Sequence, residues 1–386
     1  MSDNYYFAPC PRGLEGVLTV ELGACGAGLP EPRPGGVRFK GSKEAGYRVN
    51  LHSRVASRVL RQVAHFPYRS EQDLYDAAHE IEWYEHFDVA QSIRVDISAI
   101  YSPLTSLDFA TLRIKDAICD RFRERTGVRP NVDTQAPGAR IFVFLDAHMA
   151  TIYLDMSGEP LFKRGYRGRT GEAPIRENLA AGIIALTGWS IEEPFLDPMC
   201  GSGTFLVEAA RQALGIAPGI RRSFGFENLR DFDPASWARL KEEAQSRELP
   251  LRPLSIHGSD LYGRSLDTAR ATLEGAGLDS TVQLKQANVL ELSPPGPGGV
   301  LVTNPPYGVR LGDEQELTAF YPKLGDALKQ RFAGWRCYII TAEMKVPSMI
   351  RLRESKRTPL FNGAIECRLF EFRMIAGSHR KERGSP

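Results

Sequence analysis

Apolar positions recur with two different periods along this chain, and the change of period divides it. In the first half, Phe109, Leu112, Ile114 and Ile118 return at helical spacing and predict a long helix over Leu107–Thr126. Gly13–Leu22 and Leu74–Ile81 read as shorter helices. Leu51–Val63 reads as a further amphipathic helix with Arg54, Arg58 and Arg61 along one side, by default a solvated face and alternatively an RNA contact. Pro30–Phe39 predicts a loop followed by a strand. Ser92–Ala99 alternates with period two, as do Ala139–Leu145 and Ala150–Asp155, which a short turn separates. In the second half the strands are short apolar runs without alternation, as expected of a parallel sheet buried on both faces: Pro194–Leu196, Gly299–Thr303 and Cys337–Thr341. Leu254–Asp260 and Val282–Asn288 add two more. Between them, Phe205, Leu206, Ala209, Ala210 and Ala213 make one helical face, and Ser265–Glu274 another. Leu360–Ile365 predicts a hairpin, with Asn362-Gly363 as a type I′ turn before an antiparallel last strand. Strand, turn and helix in alternation predict a doubly wound α/β fold for this half.

The length of 386 residues suits two or three domains. The pattern divides the chain into a small α/β unit over 1–65, a second unit over 66–160, a basic linker over 161–172 and an α/β core over 173–386. A long insertion, Ala217 to Pro253, is expected to add a helical segment at the rim of the active site. The net charge of +2 excludes a strongly cationic nucleic-acid coat but permits a local basic path. Six scattered cysteines without a CxxC pair read as reduced, mostly buried thiols, which fits a cytoplasmic location. No apolar run reaches membrane-spanning length and no signal peptide opens the chain, so no membrane partner is expected. No metal site is expected either. The tail Ser378–Pro386 is polar and expected to fray.

Two segments carry the chemistry. In Asp197-Pro198-Met199-Cys200-Gly201-Ser202-Gly203-Thr204, an acid ends a strand and two glycines let the chain turn tightly beneath a ligand. The hydroxyl of Thr204 can cap the following helix. A nicotinamide dinucleotide site and a plain αβ connection are the competing readings. The third glycine of the dinucleotide fingerprint is missing, however, and so is the Lys-Ser/Thr pair of a phosphate-binding loop. The acid before the turn suits a zwitterionic amino acid cofactor, with Cys200, Gly201, Ser202, Gly203 and Thr204 around it. Cys200 reads as a small packing residue. In Asn304-Pro305-Pro306-Tyr307, two prolines fix the backbone and remove two donors, leaving rigid carbonyl acceptors. The Asn304 side-chain carbonyl adds another. Two acceptors can hold both N–H groups of an exocyclic amine and aim its lone pair, while Tyr307 offers a face for stacking. Together the segments point to S-adenosylmethionine-dependent methylation of an amino group. Asp260, at the next strand end, can accept from ribose hydroxyls or cap a helix. Asn288 can accept from the adenine amine or serve as a turn residue. Lys163-Arg164-Gly165-Tyr166-Arg167 reads either as a basic, aromatic RNA contact or as a solvated hinge.

The Asp197–Ala210 and Asn304–Gly308 segments resemble motifs I and IV of the THUMP-domain RNA guanine-N2 methyltransferases. Lys163–Arg167 and Ala173–Ala181 resemble the stretch before that family's catalytic core, and Phe7–Glu15 resembles its N-terminal opening. The likeness is closest to the bacterial large-subunit (23S) rRNA enzymes of the RlmL type. It implies a ferredoxin-like domain over 1–65, a THUMP RNA-binding domain over 66–160 and a class I, Rossmann-like methyltransferase domain over 173–386. It places Pro174 and Asn178 in the cofactor site, Lys163, Arg164, Tyr166 and Arg167 on RNA, and Asn304, Pro305, Pro306 and Tyr307 at the reacting amine. Asn288 departs from the acid often found at its position. The implied substrate is a guanine N2 amine in structured RNA, 23S rRNA first and tRNA second. DNA adenine methylation and a non-catalytic assembly factor are more distant readings. A monomer with a single methyltransferase core, and hence no second activity, is expected.

Overall fold

The computed structural model describes residues 4–166, 175–305 and 314–375, without side-chain detail for 314–318. Two compact units emerge, one of residues 1–10, 15–164 and 217–247, the other of residues 11–14, 165–216 and 248–386.

The first unit is built on a seven-stranded sheet. Its elements are β1 (Asn4–Pro9), α1 (Glu15–Ala24), β2 (Gly28–Arg33), β3 (Gly36–Gly41), α2 (Lys43–His52), β4 (Leu60–Pro67), α3 (Glu71–Glu80), β5 (Ile93–Ala99), α4 (Leu107–Thr126), β6 (Ala139–Leu145) and β7 (Met149–Asp155). The strand order is β2-β3-β1-β4-β7-β6-β5, so the strands of both N-terminal segments form one continuous sheet. One face is core: Tyr6, Ala8, Val37, Phe39, Ile141, Val143, Leu145, Ile152 and Leu154 are all buried. Helix α4 keeps the predicted limits because both ends are written locally. Ser106 accepts from the Phe109 N–H at 3.2 Å, and Gly127 ends the helix at φ +75°. Its predicted apolar face is only half right. Ile114 and Ile118 are buried, whereas Phe109 and Leu112 are exposed.

The predicted helix over Leu51–Val63 is not there. The helix is α2 and ends at His52, and Leu60 already belongs to β4. Arg58 and Arg61 therefore do not line a solvated helix face. Arg58 pairs with the buried Asp155, and the buried Arg61 holds Asp231 at 2.6 Å. The loop expected from Pro30 is strand β2, which starts at Gly28.

The second unit holds the other seven-stranded sheet. It comprises α5 (Glu177–Thr187), β8 (Phe195–Asp197) and α6 (Thr204–Ala213). The chain then leaves for residues 217–247, whose helix α7 (Pro234–Ser246) belongs to the first unit. It returns with β9 (Ile256–Asp260), α8 (Gly263–Ala276), β10 (Gln283–Gln286), β11 (Gly299–Thr303), α9 (Glu314–Arg331), β12 (Trp335–Thr341), α10 (Val346–Ile350), β13 (Lys356–Asn362) and β14 (Ile365–Arg373). The order is β10-β9-β8-β11-β12-β14-β13, parallel except for β14, which runs antiparallel to both neighbours. Leu196, Leu301, Ile339, Phe370 and Phe372 form its core with Trp335 and Phe332.

The insertion is helical as predicted, and residues 217–247 belong to the first unit. There Tyr47 of α2 stacks on Phe226 at 4.3 Å and meets Trp237 edge-on. The hairpin turn is Gly363-Ala364, because Asn362 pairs with Ile365. Only Gly363 among these has positive φ, at +68°, which is the pattern of a II′ turn and not I′. Residues 11–14 also pack with the second unit: the Arg12 guanidinium lies 5.0 Å from the Phe361 ring centre, and Gly13 sits against the Pro359 carbonyl.

Candidate active site

The chain order along the second sheet reverses beside β8. From β8 it steps outward to β9 and β10, then returns as β11 on the other side of β8. That reversal opens a crevice at the carboxyl ends of β8 and β11, where ligands bind in open α/β sheets. Val300 pairs with Phe195 and Leu301 with Leu196. By this register Asp197 falls beside Val302, and Asn304 follows two residues later. The two predicted segments thus leave adjacent strands at the same sheet edge.

The glycine turn is held from below. The Cys200 N–H donates to the Ser259 carbonyl at 2.9 Å, and the Gly203 N–H to the Cys200 carbonyl at 2.8 Å. Asp260 ties the loop to β9, its carboxylate accepting from the Gly201 N–H and the Tyr262 N–H, each at 3.0 Å. Gly201 has φ +50°, and a Cβ there would meet nothing within 4 Å. The backbone is therefore open to an approaching ligand. Gly203, at φ +77°, is the N-cap of α6, and a Cβ there would lie 3.3 Å from that of Ala269. Thr204 accordingly does not cap the helix. It is the first helical residue, and its hydroxyl lies 3.4 Å from that of Ser202.

Asp197 is the most perturbed acid of the site. It is 2% exposed and accepts from the Met199 N–H at 3.2 Å. Burial raises its pKa from 3.8 to about 7, against the downward pull of the Met199 N–H and the nearby Thr303 hydroxyl, while the Asp260 charge pushes it up further. Thr303 lies close enough to act on this charge without full hydrogen-bond geometry. Sequence reading missed it, since a threonine closing a buried strand carries no signal of its own. Cys200 is buried, and its thiol pKa is raised chiefly by burial and then by the charges of Asp197 and Asp260, as befits a packing residue.

The remaining predicted residues divide. Asn178 is buried in the first turn of α5. Asn288 closes a turn, its side-chain carbonyl accepting from the Leu290 N–H at 3.0 Å. Asn304 is half-buried and Pro305 buried after β11. Pro174, Pro306, Tyr307 and Arg167 lie outside the described residues. Two of the linker residues expected on RNA have polar atoms engaged within the protein. Arg164 is buried, donating to the carbonyls of Leu161 at 2.6 Å and Arg54 at 2.5 Å. Tyr166 is buried as well, its hydroxyl donating to Glu208 at 2.8 Å. Arg222 of the insertion likewise serves carbonyls, those of Ser157, Glu159 and Pro160. Lys163 is exposed and pairs with Glu159 at 2.5 Å.

Residues 164–371 match the family described as RMKL-like methyltransferase domain. This chain belongs to the RMKL-like methyltransferases. Residues 68–155 match the THUMP domain and residues 5–60 the RlmL ferredoxin-like domain. The RMKL-like chain is 42% identical, over 97% of its length, to a protein named ribosomal RNA large subunit methyltransferase K/L from Aeromonas hydrophila. It covers 55% of that protein, so it spans about half the length of the curated relatives it matches. Among solved structures, a putative methyltransferase complexed with SAH superposes with a TM-score of 0.88 at 31% identity, covering 98% of this chain and 100% of that one. A possible methylase from Clostridium difficile 630 gives 0.89 at 29% identity, covering 98% of this chain and 100% of that one. The donor set fits the S-adenosylmethionine of this methyltransferase fold: a buried acid, an open glycine backbone and an acid at the next strand end. Among the described residues no helix is long and apolar enough to cross a membrane, and no cluster of His, Cys, Asp or Glu could hold a metal ion.

Proposed function

We propose that this chain transfers a methyl group from S-adenosylmethionine to the exocyclic N2 amine of a guanine in large-subunit (23S) rRNA. The observation that carries the reading is the adjacency of Asp197 and Asn304 at the carboxyl ends of paired strands β8 and β11. An amine cradle beside a cofactor loop is the arrangement that methyl transfer needs. The names of the curated relatives and the THUMP match support RNA, and specifically rRNA, as the substrate.

Bound S-adenosylmethionine would supply an electrophilic methyl group on a sulfonium. Asp197 would hold its amino-acid ammonium, the Gly201–Gly203 backbone would admit it closely, and Asp260 would accept from its ribose. The Asn304 side-chain carbonyl and the Pro305 carbonyl would accept both protons of the target amine and so localise its lone pair. Tyr307 would stack the base. No dedicated general base is needed, because the proton can leave after transfer. The base must leave its stack to reach such a pocket.

Purified protein incubated with labelled S-adenosylmethionine and undermodified total RNA tests this directly. N2-methylguanosine in large rRNA after nucleoside digestion is the expected result. Label confined to tRNA would replace the substrate, and label in neither would refute RNA methylation.

A further inference from the structure

Thr303 ends β11 in the core of the second unit, buried like the Val300, Leu301 and Val302 that precede it. Among the described residues its hydroxyl oxygen meets no partner at full hydrogen-bond geometry. Such a hydroxyl lowers stability, because burial strips its water and nothing takes the water's place. A valine has the same branched shape and suits a strand equally well, without a polar atom to satisfy. An unpaired hydroxyl at this position therefore needs a reason other than the packing of the strand.

The reason lies one strand away. β11 pairs with β8 through Val300–Phe195 and Leu301–Leu196, which brings Thr303 to the end of the strand beside Asp197. The Asp197 carboxylate accepts from the Met199 N–H at 3.2 Å, a long bond, whereas an ionised carboxylate has room for about four donors. The titratable groups facing it are Asp260 on β9 and Cys200 in the glycine turn. Asp260 repels a second negative charge. The Cys200 thiol is held neutral by its burial and by both acids, and so brings no positive charge. Among the described residues, the groups that favour a charged Asp197 are the Met199 N–H and the Thr303 hydroxyl. The unpaired donor and the underserved acceptor are thus neighbours, and rotation about the single χ1 bond of Thr303 re-aims its oxygen between staggered positions.

We propose that Thr303 is a positioning residue whose hydroxyl donates to the Asp197 carboxylate once that acid is ionised, and so readies it for the ammonium of S-adenosylmethionine. The inference rests on the reading of Asp197 as the holder of that ammonium and deepens it. In the free protein below neutral pH, Asp197 keeps its proton and the Thr303 hydroxyl has little to donate to. Binding an ammonium there favours the carboxylate, the proton leaves to solvent, and Thr303 gains the partner it lacks. A donor to the charged form favours that form. The hydroxyl that weakens the empty protein thereby strengthens the loaded one.

The test is calorimetric titration of the full chain with SAH, which carries the same ammonium, from about pH 5 to pH 8.5. Thr303→Val should bind about tenfold more weakly than wild type at pH 6, its inflection moved up by about one pH unit, as loss of one hydrogen bond to a charged group implies. By about pH 8.5 the two affinities should agree within about twofold, since Asp197 is then largely ionised in both and the ligand's own titration cancels in the ratio. Thr303→Ser keeps the donor and should keep the wild-type profile. The melting temperature of ligand-free Thr303→Val at pH 6 should equal or exceed that of wild type, because an unpaired polar group has gone. Tyr321→Phe is the control: it removes another buried hydroxyl without a partner at full geometry, one that lies toward Thr341 and Glu343, and should leave the profile unmoved. Thr303→Val with wild-type affinity at every pH would overturn the proposal. So would an affinity lowered by one factor across the whole range together with a lower melting temperature, which is what a merely structural role predicts. A wild type whose SAH affinity does not change with pH would remove the role given to Asp197 itself. A wild type with the expected slope and a Thr303→Val variant with the same inflection would remove only the part given to Thr303.

Discussion

Asp197 should make cofactor binding depend steeply on pH. Its native pKa of about 7 lies above the 3.8 of an ordinary aspartate. A rise of that size corresponds to about 4 kcal/mol of burial cost to the charged form. The sign follows from proton counting. Between pH 4 and 7 the native carboxyl keeps a proton that the unfolded chain has released, so its contribution to stability is fully present below about pH 4 and is lost as pH rises through about 7. A cationic ammonium reverses this preference by favouring the carboxylate. Cofactor affinity should therefore fall about tenfold per pH unit below 7, reaching about 100-fold at pH 5. Calorimetric titration with SAH from pH 5 to 7.5, a window in which its own ammonium stays largely charged, measures the slope. Paired buffers of different ionisation heat should reveal proton release near pH 7. Asp197→Asn should bind more weakly at neutral pH and lose the slope. A flat wild-type profile, or the same slope in Asp197→Asn, would refute the role given to this carboxyl.

Three further outcomes are expected. Asn304→Ala should slow methyl transfer on the order of 100-fold, as removal of one preorganised polar contact does, with SAH affinity nearly unchanged; loss of SAH binding would contradict the amine-cradle assignment. Gly203→Ala should lower stability by roughly 1–2 kcal/mol through its left-handed backbone, read from the urea midpoint, and an unshifted midpoint would count against that geometry. Arg164→Ala should cost about 3 kcal/mol through two lost charge-assisted bonds to buried carbonyls, and a folded, equally stable variant with weakened RNA binding would restore the linker to an RNA role.

Local chemistry wrote much of this fold. Ser106 and Gly127 delimit α4 by capping alone, and the apolar runs ending at Asp197 and Thr303 are strands because nothing else buries such short segments. The two motifs of the candidate site were legible for the same reason, since glycines and prolines restrict the backbone wherever they stand. What sequence could not show is where long-range partners lie. Arg58 and Arg61 read as a helix face until Asp155 and Asp231, 97 and 170 residues distant, claim them across β4. Arg164 and Tyr166 look like an RNA-seeking linker until the Leu161 and Arg54 carbonyls and Glu208 take up their polar atoms. The insertion follows a methyltransferase helix in sequence, yet its rings find their packing surface on Tyr47. Sequence by itself thus determined the elements whose limits are written locally, such as α4, β8 and β11, because backbone restriction and periodicity act within a few residues. Only the tertiary structure decided which cations are consumed by buried acids and carbonyls, because burial depends on segments far apart along the chain.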